Sequence, residues 1–181
     1  MILYVNCCVR EDSRTDRIAR EVLRRLGGPF EELYLPGEDL RPLSRERLDR
    51  RTALIERGAY QDPMFRYARQ FAAADRIVIA APYWDLSFPA LLKVYIENIY
   101  VTGLVSVYDE TGLPRGLCRA EELIYVTTAG GPYFPDYSFA YLKALSEQCF
   151  GIPKTTLIRA EGLDVDGADP EKIIAGVLAE L

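Results

Sequence analysis

The 181-residue chain contains no histidine. That absence removes Ser-His-Asp triads, Cys-His pairs and His-ligated metal sites from consideration. Acid–base work is left to carboxylates, Tyr, Cys, Lys, backbone or water. Cysteine is sparse: Cys7, Cys8, Cys118 and Cys149 form no Cys-x-x-Cys pair, so no zinc or iron–sulfur site is expected. Two adjacent cysteines at a strand–loop junction are not a disulfide framework, and a reduced, cytoplasmic setting is the simpler expectation. No basic excess exists. Lys and Arg number 22 against 27 Asp and Glu, a net charge of −5, which argues against nucleic acid as a partner. No stretch approaches the roughly 20 apolar residues of a membrane span. Residues 1–5 carry no basic region, so no signal peptide and no membrane association are expected.

What the chain does have is material for a core. Apolar residues make up 49%, ordinary for a globular protein, and the length fits one domain over residues 1–181. Ile2 to Val5 is a short apolar strand, followed by a polar loop. Ser13 or Thr15 then precedes a helical pattern carrying Ile18, Val22, Leu23 and Leu26, stopped by Gly27-Gly28-Pro29. Phe30 to Leu35 reads as an alternating strand broken by Pro36-Gly37. Arg41 to Arg57 is charge-dense, with Leu43, Leu48, Leu54 and Ile55 as a weak apolar face; a solvated surface helix and a loop account for it. Arg76 to Ala81 is a continuous apolar run, as in a parallel strand buried on both faces. Phe88 to Val101 reads as a helix, Val105 to Leu117 as a hairpin insertion, Leu123 to Thr127 as a strand, Ser138 to Phe150 as a helix and Thr155 to Ala160 as the last strand. Asp169 and Pro170 open the last helix as N-cap and N1.

Strands and helices therefore alternate, which implies a parallel sheet with helices on both faces. Five strands in this length suggest a doubly wound α/β sheet in the flavodoxin-like order 2-1-3-4-5. The ligand crevice of such a sheet lies at the carboxyl ends of strands one and three. That rule selects three loops, residues 6–15, 82–88 and 128–134. The first has Arg10, Ser13, Arg14 and Thr15 at a helix N-terminus, where free N–H groups and the helix dipole suit a phosphate; alternatively Ser13 is only an N-cap and the arginines only solvated. It lacks the glycine spacing of the Walker and Rossmann motifs. The second places Tyr83 and the single Trp, Trp84, between Pro82 and Pro89. Isolated aromatics at such an end often pack over the sheet, but a stiff loop with exposed peptide groups suits the edge of a planar heteroaromatic ring. The third carries Gly130-Gly131, either a plain turn or a point of close backbone approach.

Three segments carry a resemblance: Asn6-Cys7-Cys8 through Ser13-Arg14-Thr15, Ala81 through Ser87 leading into Leu91-Leu92-Lys93, and Thr128-Ala129-Gly130-Gly131. Together, in this order, they resemble the FMN-dependent NADH-azoreductase and NAD(P)H quinone reductase family over most of the chain. The resemblance implies non-covalent FMN, with Ser13, Arg14 and Thr15 at its phosphate. It implies Pro82, Tyr83, Trp84, Asp85 and Leu86 along the isoalloxazine, and Thr128, Ala129, Gly130 and Gly131 beside the pyrimidine. Cys7 and Tyr133 also fall among the implied FMN neighbours; Cys7 stands where azoreductases often have Ser, and packing is the other reading of Cys7 and Cys8. Asp85 stands where Asn is frequent, and Ala129 where some members carry Arg. The implied activity is ping-pong hydride transfer from NADH or NADPH through flavin N5 to a quinone or azo acceptor, in a homodimer. Tyr133 is the one side chain nominated as a proton donor.

Two other readings stand beside it. Cys8 and Arg14, followed by Thr15, resemble the phosphate loop of low-molecular-weight tyrosine phosphatases, with Asp169 as general acid. Glu11 and Asp12 inside that loop would repel a phosphate dianion, and the loop lacks the expected glycine. A flavodoxin-type electron carrier is the non-enzymatic reading, although such carriers usually bear a stronger acidic bias than −5.

Overall fold

A computed structural model describes residues 1–181. Strand β1 (Ile2–Asn6) is an interior strand, flanked by β2 (Phe30–Tyr34) and β3 (Arg76–Ala80). A small antiparallel hairpin pairs β4 (Ser106–Tyr108) with β5 (Pro114–Gly116). Strands β6 (Glu122–Thr128) and β7 (Lys154–Ala160) complete the main sheet, whose order is β2-β1-β3-β6-β7, all parallel. With the hairpin strands set aside, this is the order 2-1-3-4-5 expected from the alternation. The helices are α1 (Arg14–Leu26), α2 (Arg45–Glu56), α3 (Arg66–Ala73), α4 (Ala90–Ile99), α5 (Phe139–Ala144) and α6 (Pro170–Ala179).

The period-two rule decides which side chains meet which helices. Leu3, Val5, Ile77, Ile79, Leu123 and Tyr125 face one way, toward buried residues of α2 to α5. Ile2, Tyr4, Val78, Ala80, Ile124 and Val126 face the other way, toward Ile18, Ala19, Val22 and Leu23 of α1 and Ile174 of α6. Each fully buried aliphatic side chain contributes about 1.5–3 kcal/mol. The alternation continues past the strand end: Cys7 joins the first core and Cys8 the second.

Local chemistry sets the ends of α1. Ser13 caps it, its side chain accepting the Asp16 N–H at 3.3 Å, and Arg24 and Arg25 occupy the last turn, where the dipole favours cations. Gly27 closes the helix at φ 68°, its N–H reaching the Leu23 carbonyl, a conformation glycine adopts without a Cβ penalty.

Several boundaries differ from the sequence-based expectation. Strand β2 ends at Tyr34 because Leu35, buried, opens a short 3-10 turn with Pro36. Only Leu33 within β2 is buried, as befits an edge strand. Helix α4 starts at Ala90, after Pro89. The segment expected as one helix over 138–150 is α5 followed by a wider π-helical stretch, Leu145–Phe150. The hairpin leans on that stretch: the Cys118 N–H reaches the Phe150 carbonyl at 3.2 Å, and a Cβ on Gly116 would collide with the backbone of Phe150 and Gly151.

Tyr95 on α4 is completely buried, packed edge-on against Tyr67 and Phe71. Its hydroxyl has no hydrogen-bond partner, and burial raises its pKa. An unpartnered buried hydroxyl is destabilising. Tyr95→Phe is therefore expected to raise the unfolding free energy by up to about 1 kcal/mol in urea titration. A loss of stability would show that the hydroxyl is satisfied.

Candidate functional site

Three loops leave the same edge of the sheet, and the parallel ladder runs on into them. The Cys7 N–H bonds the Ala80 carbonyl at 2.8 Å, Ala81 bonds Val126 at 3.1 Å, and Tyr83 bonds Thr128 at 3.0 Å. These bonds fix the loop starts at one height. Thr15 and Thr128 then join two of the loops directly, hydroxyl to hydroxyl, at 2.7 Å. The result is an open cleft of about 720 Å³, within the range of small-molecule sites.

Ser13, Arg14 and Thr15 line the cleft from the first loop, Pro82, Tyr83 and Trp84 from the second, and Thr128, Ala129 and Gly130 from the third. Sequence reasoning thus brought nine residues to one place. Five others lie outside its lining. Cys7 is buried in the core beneath, and burial pushes its thiol up to about 12, so packing accounts for it. Asp85 and Leu86 sit at the exposed tip of the Trp84 turn. Gly131 holds the neighbouring loop, its carbonyl accepting the Gly162 N–H at 2.9 Å.

Tyr133, the side chain expected to donate a proton, also lies outside that lining. Its ring packs on Tyr83 at 4.6 Å between centroids, and its hydroxyl meets Ser138 at 2.5 Å and Asp136 at 3.0 Å. Burial raises its pKa to about 12. The hydroxyl is thus engaged within its own loop and lies outside the cleft lining.

The first loop presents free backbone donors to the cleft. Arg14 and Thr15 are the first residues of α1, and neither N–H has a partner within the chain. Four charges besides Arg14 line this end: Arg10, Glu11, Asp12 and Asp164. Arg14 bonds Asp164 at 2.8 Å. Leu163 and Asp164 come from the loop after β7, a fourth loop that the switch-point rule does not select. They carried no motif; their place follows from backbone bonds, Leu163 N–H to Ala129 and Asp164 N–H to Gly130.

The second loop is strained. Trp84 and Ser87 exchange both backbone bonds, at 2.8 and 2.9 Å. Between them Asp85 has φ 50° and Leu86 φ 67°, the type I′ pattern that normally calls for Asn, Asp or Gly, so Leu86 is the residue out of place. Neither residue's N–H has an internal partner. Gly130 has no such positive φ; a Cβ there would displace the exposed Asp164 carboxylate from its present position.

The thiol geometry does not support a phosphatase. Cys8 is buried and donates weakly to the Ala80 carbonyl at 3.8 Å. Burial, outweighing the Ser13 hydroxyl, pushes its pKa to about 11, whereas a nucleophilic cysteine needs a depressed one. Asp169 caps α6, accepting the N–H groups of Glu171 and Lys172 at 3.1 Å.

The family model for the flavodoxin-like fold matches residues 1–181. The FMN-dependent NADH:quinone oxidoreductase of Coprothermobacter proteolyticus is 33% identical over 192 aligned residues, spanning 99% of this chain and 94% of the relative. The protein of the same name from Caldicellulosiruptor saccharolyticus is 37% identical, spanning 82% and 76%. The chain belongs to this flavodoxin-like oxidoreductase family. The azoreductase from Bacillus anthracis str. Sterne shares its fold at a TM-score of 0.84 and 22% identity, spanning 99% of this chain and 95% of that one. An FMN-dependent NADH-azoreductase from Bacillus anthracis str. Ames Ancestor, solved with FMN, does so at 0.80 and 24%, spanning 99% and 94%. Family membership answers the phosphatase reading, which the thiol geometry had already weakened.

Two outcomes follow for the site. Leu86→Gly relieves one left-handed residue and is expected to raise stability by up to about 1 kcal/mol; an unchanged or lower urea midpoint would contradict the strain. Alkylation of Cys8 in the folded protein is expected to stay slow at neutral pH and to rise only as the pH approaches the raised pKa of about 11. Rapid labelling of Cys8 at pH 7, read by peptide mass, would contradict its burial.

Proposed function

We propose that this chain is an FMN-dependent oxidoreductase that takes electrons from NADH and delivers them to a quinone or azo acceptor. One observation carries the reading: unpartnered N–H groups at the helix end of the cleft and on the turn that projects beside it. At one end, Arg14 and Thr15 offer free amides at a helix N-terminus. Next to the cleft-lining Trp84, itself 40% exposed, Asp85 and Leu86 offer free amides on an exposed turn. A phosphate-tailed planar ring has complementary chemistry at both ends, so the residues present fit FMN.

When bound, FMN would supply the two-electron redox chemistry between NADH and the acceptor. The chain's own part is to bind, orient and polarise. Arg14 and Thr15 hold the phosphate through backbone N–H groups, helped by the α1 dipole and the Ser13 and Thr15 hydroxyls. Trp84 and Tyr83 supply apolar surface to a flat ring. The Asp85 and Leu86 amides, with those of Gly130 and Gly131, stabilise negative charge on the ring's polar edge. The turn keeps that geometry because its bonds to Ser87 over-determine a strained backbone. With Tyr133 engaged elsewhere and histidine absent, protons for the acceptor come from solvent through the open cleft. Both substrates reach the same opening in turn, a ping-pong order.

Apolar side chains gather near the cleft mouth. Leu86, Phe134 and Tyr137 are 46%, 80% and 63% exposed, and Tyr83 ties this loop to the cleft through its bond to the Pro135 carbonyl at 2.8 Å. A second copy of the chain covers this surface in our reading, giving a homodimer. All four cysteines are free thiols, which suits a cytoplasmic setting, and no helix is long and apolar enough to cross a membrane.

Anaerobic addition of NADH to FMN-loaded protein is expected to bleach the flavin absorption band, and a quinone to restore it. Persistence of the oxidised spectrum with both NADH and NADPH would overturn the assignment. Light scattering is expected to give twice the 20.5 kDa chain mass; a monomer at working concentration would remove the dimer.

A further inference from the structure

We infer that Asp164 is an internal competitor for Arg14 and sets how tightly the phosphate end of the cleft holds its ligand. The inference rests on the FMN reading above and concerns a residue that no motif singled out. Arg14 and Arg10 are the only cations lining the cleft, against the carboxylates of Glu11, Asp12 and Asp164. Only one of those carboxylates touches an arginine: Asp164 Oδ1 accepts from Arg14 Nη1 at 2.8 Å. Both partners are partly solvated, at 39% and 67% side-chain exposure, so the pair itself adds little stability.

Its placement nevertheless is built. Asp164 is held by its own N–H to the Gly130 carbonyl at 2.8 Å, with Gly162 bonded to Gly131 and Leu163 to Ala129 on the same rung. Gly130 leaves out the Cβ that would evict the carboxylate. The loop after β7 thus delivers one negative charge to the phosphate end and satisfies the arginine there.

The sign of the effect follows from charge. A phosphate monoester brings about −1.5 to −2 charges at neutral pH. Beside Asp164 it meets repulsion and an arginine whose field is partly cancelled. Removing the charge while keeping an oxygen acceptor for Arg14 separates competition from positioning, which is what Asp164→Asn does. If Asp164 served to aim Arg14 at the phosphate, Asp164→Asn would leave affinity unchanged and Asp164→Ala would weaken it. If Asp164 competes, both substitutions tighten binding.

Fluorescence titration of the ligand-free protein with FMN, and with riboflavin as a probe lacking the phosphate, reads this without any turnover. The expected result is a Kd for FMN lower by about threefold to tenfold in Asp164→Asn, with the riboflavin Kd unchanged. An FMN Kd that is unchanged or higher, or riboflavin tightened equally, overturns the inference while leaving the FMN reading in place. Wild-type protein that takes up no FMN overturns the proposed function and this inference together.

Discussion

The parallel register of β1, β3 and β6 is the constraint on which the rest depends. Asn6, Ala80 and Val126 stand level at the carboxyl edge, Asn6 against Ala80 and Ala80 against Val126. Main-chain bonds then carry the alignment past the strands as far as Tyr83 and Thr128. Every cleft-lining group inherits its position from this edge. The α1 amides, the Trp84 turn and Gly130 are otherwise far apart in sequence. Buried strands that alternate between two cores cannot slip by one residue without inverting every side chain, so the edge is as firm as the cores behind it.

On that firm edge the chain places groups that do not serve folding. Free amides at α1 and at the Asp85–Leu86 turn stay without internal partners. Two residues hold left-handed backbone without being glycine. Three carboxylates and two arginines line the end of the cleft where we propose the phosphate sits. Beneath them lies a polar network that does serve folding. Tyr4 donates to Asp16 at 2.5 Å, and Asn6 donates to Asp16 and Glu32 while accepting the Cys8 N–H at 3.0 Å. Arg20 closes the network on Asp16 and Glu32 at 2.9 Å. The groups of this network are satisfied, whereas the amides at the edge above them have no internal partner.

Much of this was legible beforehand for physical reasons. Continuous apolar runs such as Arg76–Ala81 signal buried parallel strands, and the switch-point rule converts strand order into loops of interest. Ser13 at a helix start carries its chemistry in its side chain. Other features were hidden because they are made by tertiary contact. Asp85 tolerates a positive φ, but nothing in Leu86 announces one. The π-helical stretch after α5 answers the hairpin packed against it, through Gly116 and Gly151. Asp164 reaches the cleft only because the β6–β7 ladder continues beyond Ala160. Tyr133 read as a reactive candidate from its loop, yet Ser138 and Asp136 had already claimed its hydroxyl.

The central claim is that three sequence-distant turns form one pocket for one ligand. Hydrogen–deuterium exchange of the ligand-free protein with and without FMN tests it directly. The account requires joint protection of the amides of Arg14, Thr15, Asp85, Leu86 and Gly130, with no change at Gly27, Gly28, Arg119 and Glu121 on the opposite edge of the sheet. Protection confined to that opposite edge, or to only one of the three turns, would contradict it.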